Sequence, residues 1–300
     1  MSADSVLQFE AAPQRTTPVE APDWFGQAIT RAGVSGFFLN SGIPVHYLSW
    51  ARAGSDKPPL IFVHGFRGHA RWWDFIAPFF ADHYQVYAID LSGNGDSGHR
   101  RTYTMSHHPD EILGLMDHLG LDSAILVGHS YGGSCVMRTA ASVPERVERV
   151  IVVDAHVYFY GDEVPEDPVS NARQRFYSSL EEGLSRFRLA PDQELKVAYA
   201  MDYIGRNSLR QEGDRWTWKF DYNISGNQFF NRDGEVTVAE IQCPLDFVYG
   251  ESSALVNHTM AERVMDVATN PGKQIAIPGA YHHIMISHPE ALIATLSALL

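Results

Sequence analysis

A chain of 300 residues that is 45% hydrophobic and 20% charged has an ordinary globular balance, and it can bury a core without metal or disulfide staples. Its formal net charge of −13 argues against nucleic acid and against an anionic membrane surface as partners. Its two cysteines, Cys135 and Cys243, read as small buried apolar residues rather than a disulfide framework.

No run of about 18 or more apolar residues is present, so no membrane span is expected. Residues 1–21 are polar, carry Asp4, Glu10 and Glu20, and read as a loose arm rather than a signal peptide. A cytoplasmic location is the resulting expectation.

In chain order, Trp24-Phe25 and Ala28-Ile29 suggest a short helix packed on the body. Ser35–Leu39 and Ile43–Trp50 read as strands joined at Asn40-Ser41-Gly42. Pro59–Val63 is a continuous apolar strand that runs into His64-Gly65-Phe66. Trp72, Trp73, Ile76 and Phe79 have helical spacing over Arg71–Phe80. Tyr84–Leu91 is the next strand, followed by Ser92-Gly93-Asn94-Gly95-Asp96-Ser97. A helix is expected from about Pro109 to Leu119, with His107-His108 at its start and without a chemical role. The strand Ala124–Val127 leads into Gly128-His129-Ser130-Tyr131-Gly132. A helix to about Val143 and the strand Val147–Val153, ending at Asp154, follow.

The stretch Gly128–Gly132 has the G-x-S-x-G spacing of a nucleophile elbow. A serine that must stand clear of its own backbone needs a tight strand-to-helix turn, and a Cβ on either flanking glycine would collide there. Strands alternating with helices predict an α/β fold, a mostly parallel sheet with helices on both faces. Its site lies beyond the carboxyl ends of the strands. That places His64-Gly65-Phe66, Ser130 and Asp154 along one edge.

After Asp154 the alternation stops. Residues 157–242 are rich in aromatics, Arg and Glu. Helical stretches are expected at Asn171–Phe187 and Asp192–Tyr203, with no strand set. Trp216, Trp218, Phe220, Phe229 and Phe230 lie here. The segment reads as a helical lid inserted into a core of residues 1–156 and 243–300. The core resumes with the strand Pro244–Tyr249, the helix Asn257–Ala268, the strand Gln274–Ile277 and the helix His288–Leu299.

Four ordered motifs carry a resemblance. They are His64-Gly65-Phe66, Asp90–Ser97, the Ser130 elbow, and Pro278-Gly279-Ala280-Tyr281-His282 before the last helix. Together they span Pro59 to Pro289 and resemble the α/β-hydrolase fold superfamily in its lid-bearing serine hydrolase branch. The resemblance implies Ser130 as nucleophile and His282, rather than its neighbour His283, as base. It implies the backbone N–H groups of Phe66 and Tyr131 as oxyanion hole. Arg67 and His69 read as solvated loop residues near the mouth.

One position departs from the family pattern. Ser253 stands where the acid is expected, after the Pro244–Tyr249 strand. The acid role then falls to Asp154, whose apolar strand gives an ionised carboxylate little other reason to be there, with Glu251 as the alternative.

Serine at the elbow excludes the aspartyl-ester chemistry that epoxide hydrolases and haloalkane dehalogenases of this fold use. What remains is hydrolysis of a small, mostly apolar ester-like, lactone or C–C bonded substrate, or acyl transfer. A ligand-binding receptor or a cofactor-free oxygenase is the alternative from another class. No cofactor is expected, and no residue spacing suggests a metal. The expected partner is a small-molecule substrate, and a homo-oligomer stays open.

Overall fold

In the computed structural model, which describes residues 21–52, 54–164, 173–224 and 232–300, the apolar runs become the strands of one sheet. Chain order gives β1 (Val34–Asn40), β2 (Ile43–Ser49), β3 (Pro59–Val63), β4 (Gln85–Ile89), β5 (Ala124–His129) and β6 (Val147–Val153). Then come β7 (Phe176–Tyr177), β8 (Leu209–Glu212), β9 (Arg215–Trp218), β10 (Leu245–Gly250) and β11 (Pro271–Ile277). The main sheet has eight strands in the order β1-β2-β4-β3-β5-β6-β10-β11. Pairing is parallel from β4 to β11, and β2 is antiparallel to both β1 and β4.

Continuous apolar runs are what such a sheet needs, because alternate side chains leave opposite faces and both faces are covered. Ile61, Val63, Leu126, Val150 and Val152 enter one core. Leu60, Phe62, Val127, Ile151 and Val153 enter the other. The first face carries α2 (His107–Leu119) and α3 (Tyr131–Ser142), whose Leu115, Val136 and Ala140 join its core. The second carries α1 (Asp23–Thr30), with Phe25 and Ile29 buried in that core.

β3 runs to β4 on one side, and the chain then returns to β5 on the other. The ends of β3 and β5 therefore flank the crevice where the direction of winding reverses. The residues after β3, β5, β6 and β10 all emerge at this carboxyl edge.

Two expectations are corrected here. Arg71–Phe80 is not one helix but two short 3₁₀ turns, Ala70–Trp73 and Ala77–Phe79. Pro78 has no N–H to continue a ladder, and Phe79 is 42% exposed, so the helical spacing did not mark one buried stripe.

The second correction concerns residues 157–242. Besides α4 (Leu180–Leu184), α5 (Ala198–Asn207) and α6 (Gly234–Glu240), this segment carries its own antiparallel sheet, in the order β7-β9-β8. The part of Asn171–Phe187 that is described is strand β7 and the five-residue α4. Asp192–Tyr203 is helical only from Ala198. Phe229 and Phe230 lie outside the described residues.

Val157 and Phe159 at one end of the segment, and Val238 and Ile241 at the other, belong to the α3-side core. The chain closes with α7 (His258–Val267), α8 (Ile284–Ser287) and α9 (Pro289–Leu299). Among the described residues no helix is long and apolar enough to cross a membrane.

Candidate active site

The turn from β5 to α3 is under steric constraint. Ser130 holds φ 53° and ψ −121°, a left-handed conformation that costs a non-glycine residue energy. A Cβ on Gly128 would lie 2.3 Å from the Gly132 carbonyl oxygen, across the turn. One on Gly132 would lie 2.5 Å from the carbonyl oxygens of Val63 and His64. The second clash is with β3 rather than with the turn itself, so Gly132 sets how closely the elbow approaches the loop after β3. Gly65 in that loop is also close-packed, though less tightly, since its Cβ would stand 2.9 Å from Nδ1 of His129 and 3.2 Å from Cβ of Ser130. The Phe66 and Tyr131 rings, next in the chain to Gly65 and Ser130, meet edge to face with centroids 6.3 Å apart.

The end of β6 meets the loop before α8. Asp154 is completely buried, and its Oδ1 accepts from Nδ1 of His282 at 2.7 Å. The same oxygen accepts from the Ser253 hydroxyl at 2.7 Å, and Oδ2 accepts from the Gly250 N–H at 2.7 Å. Asp154 also has a positive φ, 48°, which turns the chain out of β6 as soon as the carboxylate is delivered. Glu251 is not part of this group. It is exposed, and its carboxylate accepts from the Gly279 N–H at 3.0 Å. Ser253, where the family pattern leads one to expect an acid, donates to the carboxylate from the neighbouring strand.

Neutral histidines brace the rest. His64 donates from Nδ1 to the Gly65 carbonyl at 2.7 Å, and its Nε2 accepts from the Leu91 N–H at 3.1 Å. Both bonds require the uncharged ring, and burial lowers its pKa. His129 donates from Nε2 to the His282 carbonyl at 3.0 Å, tying the elbow to the loop opposite. Burial, with the neighbouring His282 and His283 rings, holds it well below the usual histidine range. His283 is buried too and is pushed down to about 3 by burial and by the neighbouring His282 ring.

Sequence reasoning did not single out His129. The signal was its place as the x of G-x-S, one residue before the serine in a fully buried strand. His108 sits in the first turn of α2, as expected, but it is buried. It bonds the Tyr131 hydroxyl through Nδ1 at 2.7 Å and donates from Nε2 to the Ser92 carbonyl.

A cavity of about 660 Å³ opens beside this group. Phe66 and His283 are the part of its wall that adjoins Ser130 and His282. Aromatic side chains from both sides close it, among them Trp72, Phe187, Trp218, Phe220 and Tyr222. Trp218 and Phe220 stack with centroids 6.4 Å apart. Arg67 is not a solvated loop residue, because its guanidinium lies over Phe220 at 4.4 Å and lines the cavity. His69 is buried and bonded to the Ser208 hydroxyl at 2.9 Å.

Two groups among the described residues could bring three metal-ligating atoms within 4.8 Å of one another. They are His129, His282 and His283, and His46, Asp90 and Asp96. In the first, His129 and His282 each spend one ring nitrogen on the bonds above and keep the other; in the second, Asp90 accepts from His46 Nδ1 and from the backbone N–H groups of Ala70 and Asp96.

Two outcomes follow for stability. Gly132→Ala should cost on the order of 3 kcal/mol or leave no folded protein, since backbone atoms of β3 would have to retreat. Thermal unfolding at the wild-type midpoint would contradict this. The buried histidines give the second. His69, His108 and His283, each pushed down to about 3 chiefly by burial, stay neutral in the fold, while in the unfolded chain they take up protons below about pH 6.5. The unfolded state then binds more protons, so stability is lost as pH falls from about 6.5 towards 3, by about 1.4 kcal/mol per pH unit per residue. Urea unfolding between pH 7 and 5 reads the slope. His108→Gln should flatten it by about that amount, and an unchanged slope would refute the assignment.

Residues 58–289 match the family model of the alpha/beta hydrolase fold. A pimeloyl-[acyl-carrier protein] methyl ester esterase of Edwardsiella ictaluri is 25% identical over 83% of this chain and 95% of its own. Epoxide hydrolase 1 of Caenorhabditis elegans is 24% identical over 81% of this chain and 65% of its own. Among solved structures, a thioesterase domain from the curacin biosynthetic pathway superposes with a TM-score of 0.74 at 22% identity, covering 89% of this chain and 99% of that one. With its matched core, its sheet order and its carboxyl-edge site, this chain belongs to the α/β-hydrolase fold family and is an enzyme of that hydrolase family.

Proposed function

We propose that this enzyme is a serine hydrolase for a small, mostly apolar carbonyl substrate, an ester, lactone or C–C bonded ketone. Ser130 is the nucleophile, His282 the base and Asp154 the acid. The observation that carries the reading is the 2.7 Å bond from His282 Nδ1 to a carboxylate with no exposure to solvent. With Nδ1 as donor, the neutral ring keeps its lone pair on Nε2. That nitrogen takes the Ser130 proton as Oγ attacks the carbonyl carbon, and later returns it to the leaving group. The Phe66 and Tyr131 N–H groups receive the oxyanion, each worth about 3 kcal/mol in the transition state. Water, deprotonated by the same nitrogen, then hydrolyses the acyl-enzyme. The aromatic wall supports an apolar body for the substrate.

The test is kinetic and covalent. A fluorophosphonate should label wild type and not Ser130→Ala, which should retain only about 10³-fold acceleration over water. His282→Ala should fail likewise while His283→Ala keeps much of its turnover. Full activity in Ser130→Ala ends the reading.

The acid has its own test. Asp154→Asn should lower kcat by about 10⁴ with the fold intact. Ser253→Ala should lower it by about tenfold, because one of three bonds to the carboxylate is lost. Glu251→Gln should be near neutral. A large loss in Glu251→Gln with an active Asp154→Asn would move the role to Glu251.

A further inference from the structure

The chain has 36 acidic and 23 basic residues, so a cavity drawn from it at random would hold more carboxylates than cations. The cavity beside Ser130 reverses this. Arg67, Arg173, Arg175, Arg186 and Arg188 line it, and no Asp or Glu is among its described lining residues. Several arginines elsewhere in the fold are matched, as in the pairs of Arg100 with Glu111, Arg138 with Asp233 and Arg149 with Asp246. Among the described residues, Arg173, Arg175, Arg186 and Arg188 make no ion pair within 4.0 Å. Glu182 and Asp192 act on Arg186 and Arg188 from outside the wall, and they are bonded to Ser178 and Lys196. Trp72, also on the wall, has an indole N–H without a hydrogen-bond partner.

Five guanidinium groups around one apolar space repel one another, and an anion placed among them removes that cost. The planar fork of arginine suits the paired oxygens of carboxylate and phosphate. The arrangement is also directional. Phe66 and His283 form the part of the wall next to Ser130 and His282, while Arg173, Arg175, Arg186 and Arg188 are exposed at the rim. Trp72 packs on the His129 and His283 rings, with centroids 6.4 and 5.5 Å away, and Phe187 and Trp218 pack on each other at 6.0 Å in the same wall.

We infer that the substrate is an apolar ester or ketone that carries an anionic group, a carboxylate or phosphate, at the end remote from the scissile bond. This rests on the serine hydrolase reading for the reacting end and on the cavity alone for the anionic end. The reaction is unchanged: water is added across the acyl bond, and the anionic group is held but not altered. A positive rim on a protein of net charge −13 also draws such a substrate against the overall field.

The experiment compares 4-nitrophenyl hemiesters of succinate, adipate and suberate with 4-nitrophenyl butyrate, hexanoate and octanoate. A 4-nitrophenyl ester of a phosphorylated hydroxyhexanoate separates phosphate from carboxylate. At low ionic strength kcat/KM for one anionic series should exceed its neutral partners by about tenfold or more, and the ratio should shrink in about 0.5 M salt. The ratio should fall towards one in Arg175→Gln/Arg186→Gln and below one in Arg175→Glu/Arg186→Glu.

Binding of the same esters to Ser130→Ala, followed by tryptophan fluorescence, gives a readout that needs no turnover. Hydrolysis without anion preference in either readout overturns this inference and leaves the serine hydrolase reading standing. Anion-selective binding that the arginine variants abolish, in a protein that hydrolyses nothing, supports the inference and overturns the reading.

Discussion

A carboxylate sealed from water must have its oxygens met by donors, and Asp154 is met by three separate stretches of chain. The Gly250 N–H comes from the end of β10, the Ser253 hydroxyl from the loop after it, and the His282 ring from the loop after β11. Removing any one would leave a buried charge short of a partner, at a cost of one to a few kcal/mol. The bonds therefore fix the carboxyl ends of β6, β10 and β11 relative to one another. The elbow is fixed to the same frame by two backbone bonds. The Ser130 N–H donates to Val153, and the Asp154 N–H to Val248. The strained serine and the buried pair are parts of one knot.

Around that knot the protein uses neutral histidines as connectors, His64 and His108 through both ring nitrogens and His129 through one. His64 joins its own loop to the chain after β4, His129 joins the elbow to the His282 backbone, and His108 joins α2 to Tyr131 and Ser92. An uncharged imidazole can donate at one nitrogen and accept at the other, which suits backbone groups a few ångströms apart. A lysine or carboxylate in these places would carry a charge into the core and require a counter-ion. Burial, which lowers the pKa of these rings, is thus what makes them usable as struts.

Much of this was legible in the sequence, and the rest was not, for identifiable reasons. Pro59–Val63 and Val147–Val153 were readable to the residue because a parallel strand buried on both faces leaves an apolar run, unbroken in the first and from Val150 onward in the second. The same logic pointed to Asp154, a carboxylate at the end of such a run. Ser253 was seen as a departure from the family pattern, but its bond to Asp154 joins residues 99 positions apart and has no local signature. Strands β7, β8 and β9 are two to four residues long and mix Arg, Glu and aromatics, so no period could emerge. The arginines of the cavity were hidden by their neighbours. Between Arg173 and Arg188 the chain also carries Glu181 and Glu182, and only folding separates the guanidinium groups from the carboxylates.

The cavity and the His282 loop are also mechanically joined. The Gln193 side chain accepts from the His283 N–H at 3.0 Å, and its amide donates to the His283 carbonyl at 3.4 Å and the Leu195 carbonyl at 2.9 Å. The Val197 N–H donates to the Ile286 carbonyl at 3.1 Å. The chain leading into α5 thus grips the loop at His283, one residue from His282. Leu189 and Ala190, a few residues before Gln193, line the cavity. A ligand that presses on that wall bears on a segment clamped to the histidine loop, and His282 is held in turn by Asp154 and by His129. The aromatic end and the histidine end are therefore joined by a short run of hydrogen bonds, three through the Gln193 side chain and one between backbone groups.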